Sequence, residues 1–374
     1  MKKIGIYVHI PFCKRACFYC HFTKQEYDAD LAEKYIDALV KEIHLKSNPA
    51  YWIDSIYIGG GSPSLLRTSQ VGAIIDAITD HFRMSPSPEC TLEANPEDVS
   101  FDRLRDLKNL GINRLSIGTQ SFMPEDLRYL KRTHDVRQSV IAIENALAAG
   151  FSNINADFII SLPSQSRKSL KENLSMLKNY DIPHVSAYLL EEVEDSEAKN
   201  ARDHRLYFFT RDFLQDLGYI HYEVSNFSFK GFHSRHNLGY WENKSYIGVG
   251  LSASGYEQGL DYKNTCRFSE YFEALSQQKL PQAEVKRSDP VFRRVVMGLR
   301  LFKGISITAF QNYREPMELL RAEGFLISRG RRPQPKKASF WDVLVKRGGR
   351  IAVNPQKILL LNEILTYFPR SPGS

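Results

Sequence analysis

The chain has 374 residues and a formal net charge of +7, and 43% of its residues are apolar. This length allows one large domain and a smaller one, with a substantial apolar core. No stretch approaches about 18 uninterrupted apolar residues, and the start MKKIGIYVHI lacks the apolar segment of a signal peptide, so we expect a cytoplasmic protein without a transmembrane helix.

Short β-rich runs alternate with helical patterns along the first 219 residues. Predicted strands cover 4–10, 53–59, 90–94, 114–118, 154–160 and 184–190. Helical patterns cover 28–46, 68–82, 97–110, 122–130, 136–149, 167–179 and 199–217. The strand segments are largely apolar, which is typical of parallel strands covered by helices. The succession predicts an α/β fold, a (β/α) barrel or part of one.

After residue 219 the pattern changes. The segment YIHYEVSNF is compatible with another strand, an aromatic and glycine-rich stretch follows at 236–256, and helical patterns cover 267–278 and 287–303. SRGRRPQPKK (328–337) predicts an exposed loop, and KILLLNEILTYF (357–368) predicts a closing helix. We therefore predict a barrel domain at 1–220, a linking region at 221–285 and a smaller, mainly helical domain of winged-helix-like character at 286–374.

Positive charge is concentrated in that last domain. Residues 281–374 contain 18 Lys and Arg against 7 Asp and Glu, whereas the preceding 280 residues contain 32 basic and 36 acidic side chains. A basic C-terminal region predicts contact with an anionic partner. A basic surface that serves only solubility is the alternative.

Three cysteines follow the first predicted strand in a C-x3-C-x2-C pattern, within HIPFCKRACFYCHF (9–22). They are Cys13, Cys17 and Cys20, and in a cytoplasmic protein such a cluster indicates metal or redox chemistry. Zinc would require a fourth ligand, such as His9 or His21. A 4Fe–4S cluster held by only three cysteines leaves one iron open to a small molecule. The ligand count and the position after a strand favour iron–sulfur over zinc.

Polar residues also follow the other predicted strands. Strand two runs into GGGSP, strand three ends at Glu93 in EANP, strand four runs into Gln120, and strand five carries Asp157. The carboxyl ends of parallel strands form one rim, which is where active sites of such barrels lie. The sequence therefore predicts a single site that joins these motifs to the cysteines.

Taken together, the cysteine loop and the rim motifs resemble those of the radical S-adenosylmethionine (SAM) enzymes. The resemblance implies that the open iron binds the amino and carboxylate groups of SAM, and that one electron from the cluster cleaves the sulfonium to a 5′-deoxyadenosyl radical. It also implies a protein that supplies the electron. The fold it implies is a partial (β/α) barrel.

Within that superfamily the chain resembles the coproporphyrinogen dehydrogenase (HemN-like) group over nearly its whole length. That resemblance implies SAM contacts at Tyr7, Gly60, Gly61, Ser62, Glu93, Gln120, Arg132 and Asp157. The structural alternative for each polar residue is a satisfied ion pair or hydrogen bond at the rim. Ser161 departs from the group, which generally has glycine at this position.

Two motifs separate the branches of the group. Phe22 stands where the oxidase branch carries another cysteine, and RHNLGYW (235–241) matches the HNxxYW motif of the HemW-like haem chaperones. His21 stands where that branch commonly has an acidic residue. The resemblance to HemW implies haem binding, with His236 as an axial ligand and Tyr240 and Trp241 beside the macrocycle. His233 is a competing ligand, and the alternative is that His236 only ties a loop to the barrel.

The HemW-like interpretation implies delivery of haem to client proteins, and it leaves open a homodimer and a peripheral membrane contact through the basic region. The enzyme alternative is oxygen-independent coproporphyrinogen III dehydrogenation in porphyrin biosynthesis, against which Phe22 and HNLGYW count. Whether the protein is an enzyme that turns over SAM stays open. A third alternative, nucleic-acid binding through the basic tail, has little support because aromatic residues are not interleaved with the cations at 328–337.

Overall fold

A twelve-stranded sheet forms the body of the protein in the computed structural model, which describes residues 2–190, 196–329, 350–366 and 368. From edge to edge its strands are β14 (Gln282–Arg287), β13 (Leu260–Asn264), β12 (Ser254–Glu257), β11 (Tyr246–Val249), β1 (Lys2–Ile10), β4 (Tyr51–Gly60), β5 (Arg83–Ala94), β6 (Arg114–Gln120), β7 (Ile154–Ile160), β8 (His184–Leu189), β10 (Asn226–Ser228) and β9 (Ile220–Glu223). The seven strands from β11 to β8 run parallel. The sheet is open, so the prediction of a partial barrel is confirmed.

Helices follow the parallel strands, as the alternating pattern predicted. They are α1 (Ala29–Leu45), α2 (Thr68–His81), α3 (Phe101–Asn109), α4 (Pro124–Tyr129), α5 (Val136–Ala148), α6 (Arg167–Ser175), α7 (Glu197–Asp216), α8 (Arg235–Trp241), α9 (Phe268–Ser276), α10 (Pro290–Gly298), α11 (Arg314–Ala322) and α12 (Leu361–Thr366). Short 3-10 segments cover Pro63–Leu65, Pro96–Asp98, Met176–Asn179, Ile307–Tyr313 and Pro355–Leu360. The helix predicted at 287–303 is shorter than expected, because Asp289 caps α10 directly before Pro290.

The parallel strands are largely buried, as expected for strands covered by helices. In β7 (INADFII) six of the seven residues are buried. On α1 the apolar stripe of Tyr35, Leu39 and Ile43 is buried in the same core. Each large apolar side chain buried in this way stabilises the fold by roughly 1.5–3 kcal/mol relative to its exposed state. The core therefore holds the carboxyl ends of neighbouring strands at fixed positions.

Residues beyond 219 complete this sheet. Strands β9 and β10 form an antiparallel hairpin beside β8, while β11 lies parallel to β1 and β12–β14 continue antiparallel from it. The segment predicted as a linking region thus contributes strands to the main sheet at both of its edges. The domain boundaries at 220 and 285 stay predictions.

The C-terminal portion combines helices with a small sheet. Strands β15 (Ile305–Ser306), β17 (Arg350–Val353) and β16 (Leu326–Arg329) form that sheet in this order, and α11 and α12 accompany it. Residues 357–366 of the predicted closing helix at 357–368 lie within a 3-10 segment and α12. Most of the predicted loop at 328–337 lies outside the described residues. None of the described helices is long and apolar enough to cross a membrane.

Candidate functional site

The cysteine loop begins where β1 ends and folds back on itself. A short parallel pair of strands, β2 (Phe12–Cys13) and β3 (Gln25–Glu26), closes its base. Inside the loop, the Lys24 ammonium donates to the backbone carbonyls of Cys17 and Cys20 at 3.0 and 2.6 Å. The paired strands hold the base of the loop, and the hydrogen bonds of Lys24 hold the segment from Cys17 to Cys20.

The three thiols are free and partly buried. Burial raises the pKa of the Cys13 thiol, a hydrogen bond with Ser62 opposes that shift, and the thiols of Cys20 and Cys17 add to it. Across the described part of the chain, no three His, Cys, Asp or Glu side chains stand at the mutual spacing of metal ligands. The thiols of Cys17 and Cys20 nevertheless lie close enough to Cys13 to raise the pKa of its thiol.

A glycine turn packs directly against this loop. Gly61 N–H donates to the Ile10 carbonyl at 2.7 Å, and Ser62 N–H donates to the Phe12 carbonyl at 2.7 Å. A Cβ atom on Gly61 would lie 2.5 Å from the Phe12 carbonyl oxygen and 2.9 Å from Cys13 Sγ. Gly60 adopts φ +115°, a conformation that side-chain-bearing residues rarely adopt. The turn at the end of β4 and the cysteine loop therefore form one unit.

Glu93 at the end of β5 is anchored to the same turn. Its Oε2 accepts a 2.9 Å hydrogen bond from Gly60 N–H, and its Oε1 accepts a 2.7 Å bond from the Tyr57 hydroxyl. Burial, with a smaller contribution from nearby Asp157, raises the pKa of Glu93 to about 7, against the effect of these two hydrogen bonds. Near neutral pH, Glu93 is therefore poised between its charged and neutral forms.

Arg132 connects the cysteine loop to the EANP segment. Its Nη1 donates to Cys17 Sγ at 3.5 Å, and its Nη2 donates to Asn95 Oδ1 at 2.6 Å. Asn95 in turn donates to Ser62 Oγ at 2.7 Å. Among the described residues, the buried Nε of Arg132 has no hydrogen-bond partner. Our sequence reasoning named Glu93 but missed Asn95, although both belong to the EANP motif that it singled out.

The remaining predicted SAM contacts lie around this centre. The Tyr7 hydroxyl bonds His9 Nδ1 at 2.9 Å, and His9 Nε2 bonds the Thr23 carbonyl at 3.0 Å, so in this arrangement His9 offers no ring nitrogen to a metal. Asp157 accepts 2.9 Å bonds from Ser116 and Asn155, and burial raises its pKa.

Gln120 lies at a register shift between β6 and β7 with φ +61°. Within the described part of the chain, no hydrogen bond joins Gln120 to the cysteine loop, and its side-chain amide lies close to Gly118. Direct contacts therefore join the cysteines, the glycine turn, Glu93, Asn95 and Arg132, whereas Gln120 and Asp157 lie on the neighbouring strands.

The HNLGYW motif lies behind this centre, and His236 is buried within it. Its Nδ1 bonds the Ser55 hydroxyl at 2.9 Å, its Nε2 bonds the Tyr240 hydroxyl at 2.7 Å, and its ring stacks on Tyr57 with the centroids 5.2 Å apart. Burial lowers the pKa of His236 to about 3. Because both ring nitrogens are bonded, a haem iron can bind His236 only after one of these bonds breaks. This arrangement favours the alternative that His236 ties α8 to the sheet.

His233 and Trp241 flank that histidine with different surroundings. His233 stacks on Tyr222 with a centroid distance of 4.3 Å and bonds Ser228 through Nδ1 at 2.6 Å. Its Nε2 has no partner among the residues that the structure describes, and its ring is partly buried. Trp241 is covered by the Arg300 guanidinium, 5.2 Å from its ring centroid. His233 thus presents one ring nitrogen that could bind haem iron, whereas both ring nitrogens of His236 are already hydrogen-bonded.

The fold and the cysteine loop define a protein of the radical SAM class, and comparisons with known proteins agree. The model of the Radical SAM superfamily matches residues 7–177. The chain belongs to the HemW family, since it is 35% identical over 328 residues to "Heme chaperone HemW" of Lactococcus lactis, which covers 83% of this chain and 85% of that protein. The HemW of Bacillus subtilis is 31% identical over 322 residues, or 81% and 85% of the two chains.

A solved structure shares the fold across almost the whole chain. Coproporphyrinogen III oxidase (HemN) from Escherichia coli superposes with a TM-score of 0.80 at 21% identity, covering 98% of this chain and 90% of that one. At this identity the likeness establishes the architecture and not the reaction. The predicted membership of the HemN/HemW-like group is confirmed.

Proposed function

We propose that this protein is a haem chaperone that binds a 4Fe–4S cluster, SAM and haem, and that it hands haem to client proteins. The 35% identity to a protein named as a haem chaperone supports the class of function. The observation that carries the cofactor part is the contact between the cysteine loop and the glycine turn, in which Gly61 leaves no room for a Cβ beside Cys13.

The residues present fit the two cofactors. Cys13, Cys17 and Cys20 would hold the cluster as thiolates, the Gly60–Ser62 turn and Glu93 would hold the charged end of SAM, and Arg132 would offer its unpartnered Nε. When bound, the cluster supplies one electron and SAM supplies a sulfonium that this electron cleaves. Thiols must lose their protons to bind iron, so loading of the site should release protons.

Cluster binding is testable by anaerobic reconstitution of single cysteine variants. We expect Cys17→Ala to lose most of its bound iron and inorganic sulfide relative to the wild type. Cys266→Ala is the matched control, because that cysteine is exposed and lies outside the loop. Equal iron and sulfide content in both variants would refute the cluster assignment.

Haem binding and delivery form the second part of the test. Haem is titrated into the reconstituted wild type, followed by transfer to an apo-haem protein, measured through the absorbance of the acceptor. His236→Gln and His233→Ala are titrated in parallel, so that loss of haem in one of them identifies the ligand. A wild type that binds no haem at micromolar concentration would refute the chaperone function.

The enzyme alternative is measured in the same preparation. Phe22 stands where the oxidase branch has a cysteine, so this position offers no thiol. Its side chain is 62% exposed. We therefore expect no sustained conversion of coproporphyrinogen III, with reductant and SAM in excess. Steady product formation would make the protein an enzyme instead. We also propose that the protein lies in the cytoplasm and receives its electron from an electron-donating protein. Its basic C-terminal region would contact an anionic partner.

A further inference from the structure

A cavity lies at the edge of the sheet that ends in β14, away from the cysteine loop. It has a volume of about 390 Å³ and is formed by β12, β13, β14 and α10. None of the residues assigned above to the cluster, SAM or haem lines it. Its volume falls within the range of small-molecule sites, roughly 300–1,000 Å³.

Arg293 on α10 lines this cavity and is only 9% exposed. Its Nη1 donates to Asp261 Oδ1 at 2.7 Å, and its guanidinium lies over the Tyr256 ring at 4.0 Å from the centroid. Within the described part of the chain, its Nε and Nη2 are buried without a hydrogen-bond partner. Buried donors of a charged group are rarely left unpaired, because the lost hydration is not replaced.

The two unpaired donors have the arrangement that an oxyanion requires. Nε–H and one Nη–H of a guanidinium form a planar fork that matches both oxygens of a carboxylate or two oxygens of a phosphate. The carboxylates nearby already have partners: Asp261 accepts from Nη1, and Asp289 accepts from the backbone N–H groups of Val291 and Phe292 at 2.9 and 3.0 Å. Tyr246, which also lines the cavity, interacts with the Arg293 guanidinium without a hydrogen bond of normal geometry to Nε or Nη2, so the fork is available to a ligand.

The surroundings add charge and an apolar wall. The exposed side chains of Lys263, Lys286 and Arg287 line the rim of the cavity and favour an anion, although Glu284 reduces their effect. Val296 and Met297 are partly buried on the same wall as Arg293. A ligand that combines an oxyanion with an apolar body would satisfy both parts of the cavity.

We propose that this cavity binds a small molecule through a carboxylate or phosphate group held by the Nε and Nη2 donors of Arg293. The apolar part of the ligand lies against Val296 and Met297. The site is independent of the cluster and of haem iron ligation. The carboxylates of a porphyrin and the phosphate group of an organic phosphate are two sources of this oxyanion, and the probes below separate them, with inorganic phosphate testing the oxyanion part alone.

The test measures binding by isothermal titration with three probes: inorganic phosphate, protoporphyrin IX and protoporphyrin IX dimethyl ester. The metal-free porphyrins exclude iron ligation, and the ester removes the carboxylates alone. Arg293→Gln removes the fork, and Arg294→Gln is the matched control because Arg294 is the exposed neighbour on the same helix. We expect one of the two anionic probes to bind the wild type and the control, with affinity at least about tenfold weaker in Arg293→Gln.

A second variant keeps the test decisive if Arg293→Gln does not fold. Arg287→Glu changes only an exposed rim charge, and it should weaken the same probe by about threefold or more, with the difference shrinking at high salt. Binding of the ester as tightly as the acid, equal affinity in all variants, or no binding of either anionic probe at millimolar concentration would overturn the proposal. Haem binding by the wild type in the absence of these effects would leave the chaperone function intact and refute this site alone.

Discussion

Tyr57 connects the glycine turn to the HNLGYW motif: its hydroxyl donates to Glu93 at 2.7 Å, while its ring stacks on His236 with the centroids 5.2 Å apart. One side chain on β4 therefore contacts both the predicted SAM site and the predicted haem motif. A change at either end of this contact should be measurable at the other.

Tyr57→Phe should raise the pKa of Glu93 above its value of about 7, because the hydroxyl favours the charged carboxylate. A hydrogen bond to a charged group contributes about 1.5–3 kcal/mol, so a rise of about one to two pKa units is expected. The pH at which SAM affinity is half-maximal, measured by titration calorimetry of the reconstituted protein, should rise by a similar amount. Tyr129→Phe is the control because Tyr129 is exposed; an unchanged midpoint in Tyr57→Phe would contradict the prediction.

Glu93 should also make the ligand-free protein less stable as the pH rises. Its folded pKa of about 7 exceeds its ordinary value of 4.5, so between these values the folded state binds more protons than the unfolded state, and stability falls with increasing pH. We expect Glu93→Gln to remove a loss on the order of 2 kcal/mol between pH 5 and pH 8. Denaturant melts at several pH values measure this difference, and parallel curves for both proteins would refute it.

The strands and the cysteine loop could be predicted because their signals are local. Each parallel strand is a short apolar segment before a polar motif, and this pattern is visible without knowledge of the partners. Strand β11 was missed because it is four residues long and contains a glycine, and its burial depends on pairing with β1. The contacts of His236 were missed for a similar reason: Ser55 is 181 positions away in the chain.

His236→Ala should destabilise the protein by about 2–4 kcal/mol, whether or not haem is present. The change leaves the buried Ser55 hydroxyl and the Tyr240 hydroxyl without their bonds and creates a cavity beside Gly5. His204→Ala, at an exposed position, should cost less than about 1 kcal/mol. Urea unfolding of both variants provides the comparison, and a near-neutral His236→Ala would mean that the motif is not part of the packed structure.

Ser161 adopts φ +65° in a buried position, a left-handed conformation that favours glycine. Its hydroxyl donates to Asp203 at 2.5 Å, which offsets the strain of the left-handed conformation. Ser161→Ala keeps the strain and removes the bond, so we expect a loss of about 1–3 kcal/mol. Ser161→Gly removes both and should lose less. Thermal melts that show glycine as the worse substitution would contradict this account.

Gly61→Ala tests the packing of the glycine turn against the cysteine loop. An added Cβ would meet the backbone carbonyl oxygen of Phe12 at 2.5 Å as well as Cys13 Sγ at 2.9 Å, and because a backbone atom is involved the loop itself must move. We expect a loss of about 1–3 kcal/mol in unfolding free energy and a clear reduction in iron bound after anaerobic reconstitution.

Gly239→Ala is the matched control for that variant. Gly239 lies inside α8, and a Cβ there would have no neighbour within 4 Å among the residues that the structure describes. Alanine should therefore stabilise the helix by about 0.5–1 kcal/mol and leave the iron content unchanged. If Gly61→Ala reconstituted as fully as Gly239→Ala, the turn would not be part of the cluster environment, and the cysteine loop would have to bind its cofactor without it.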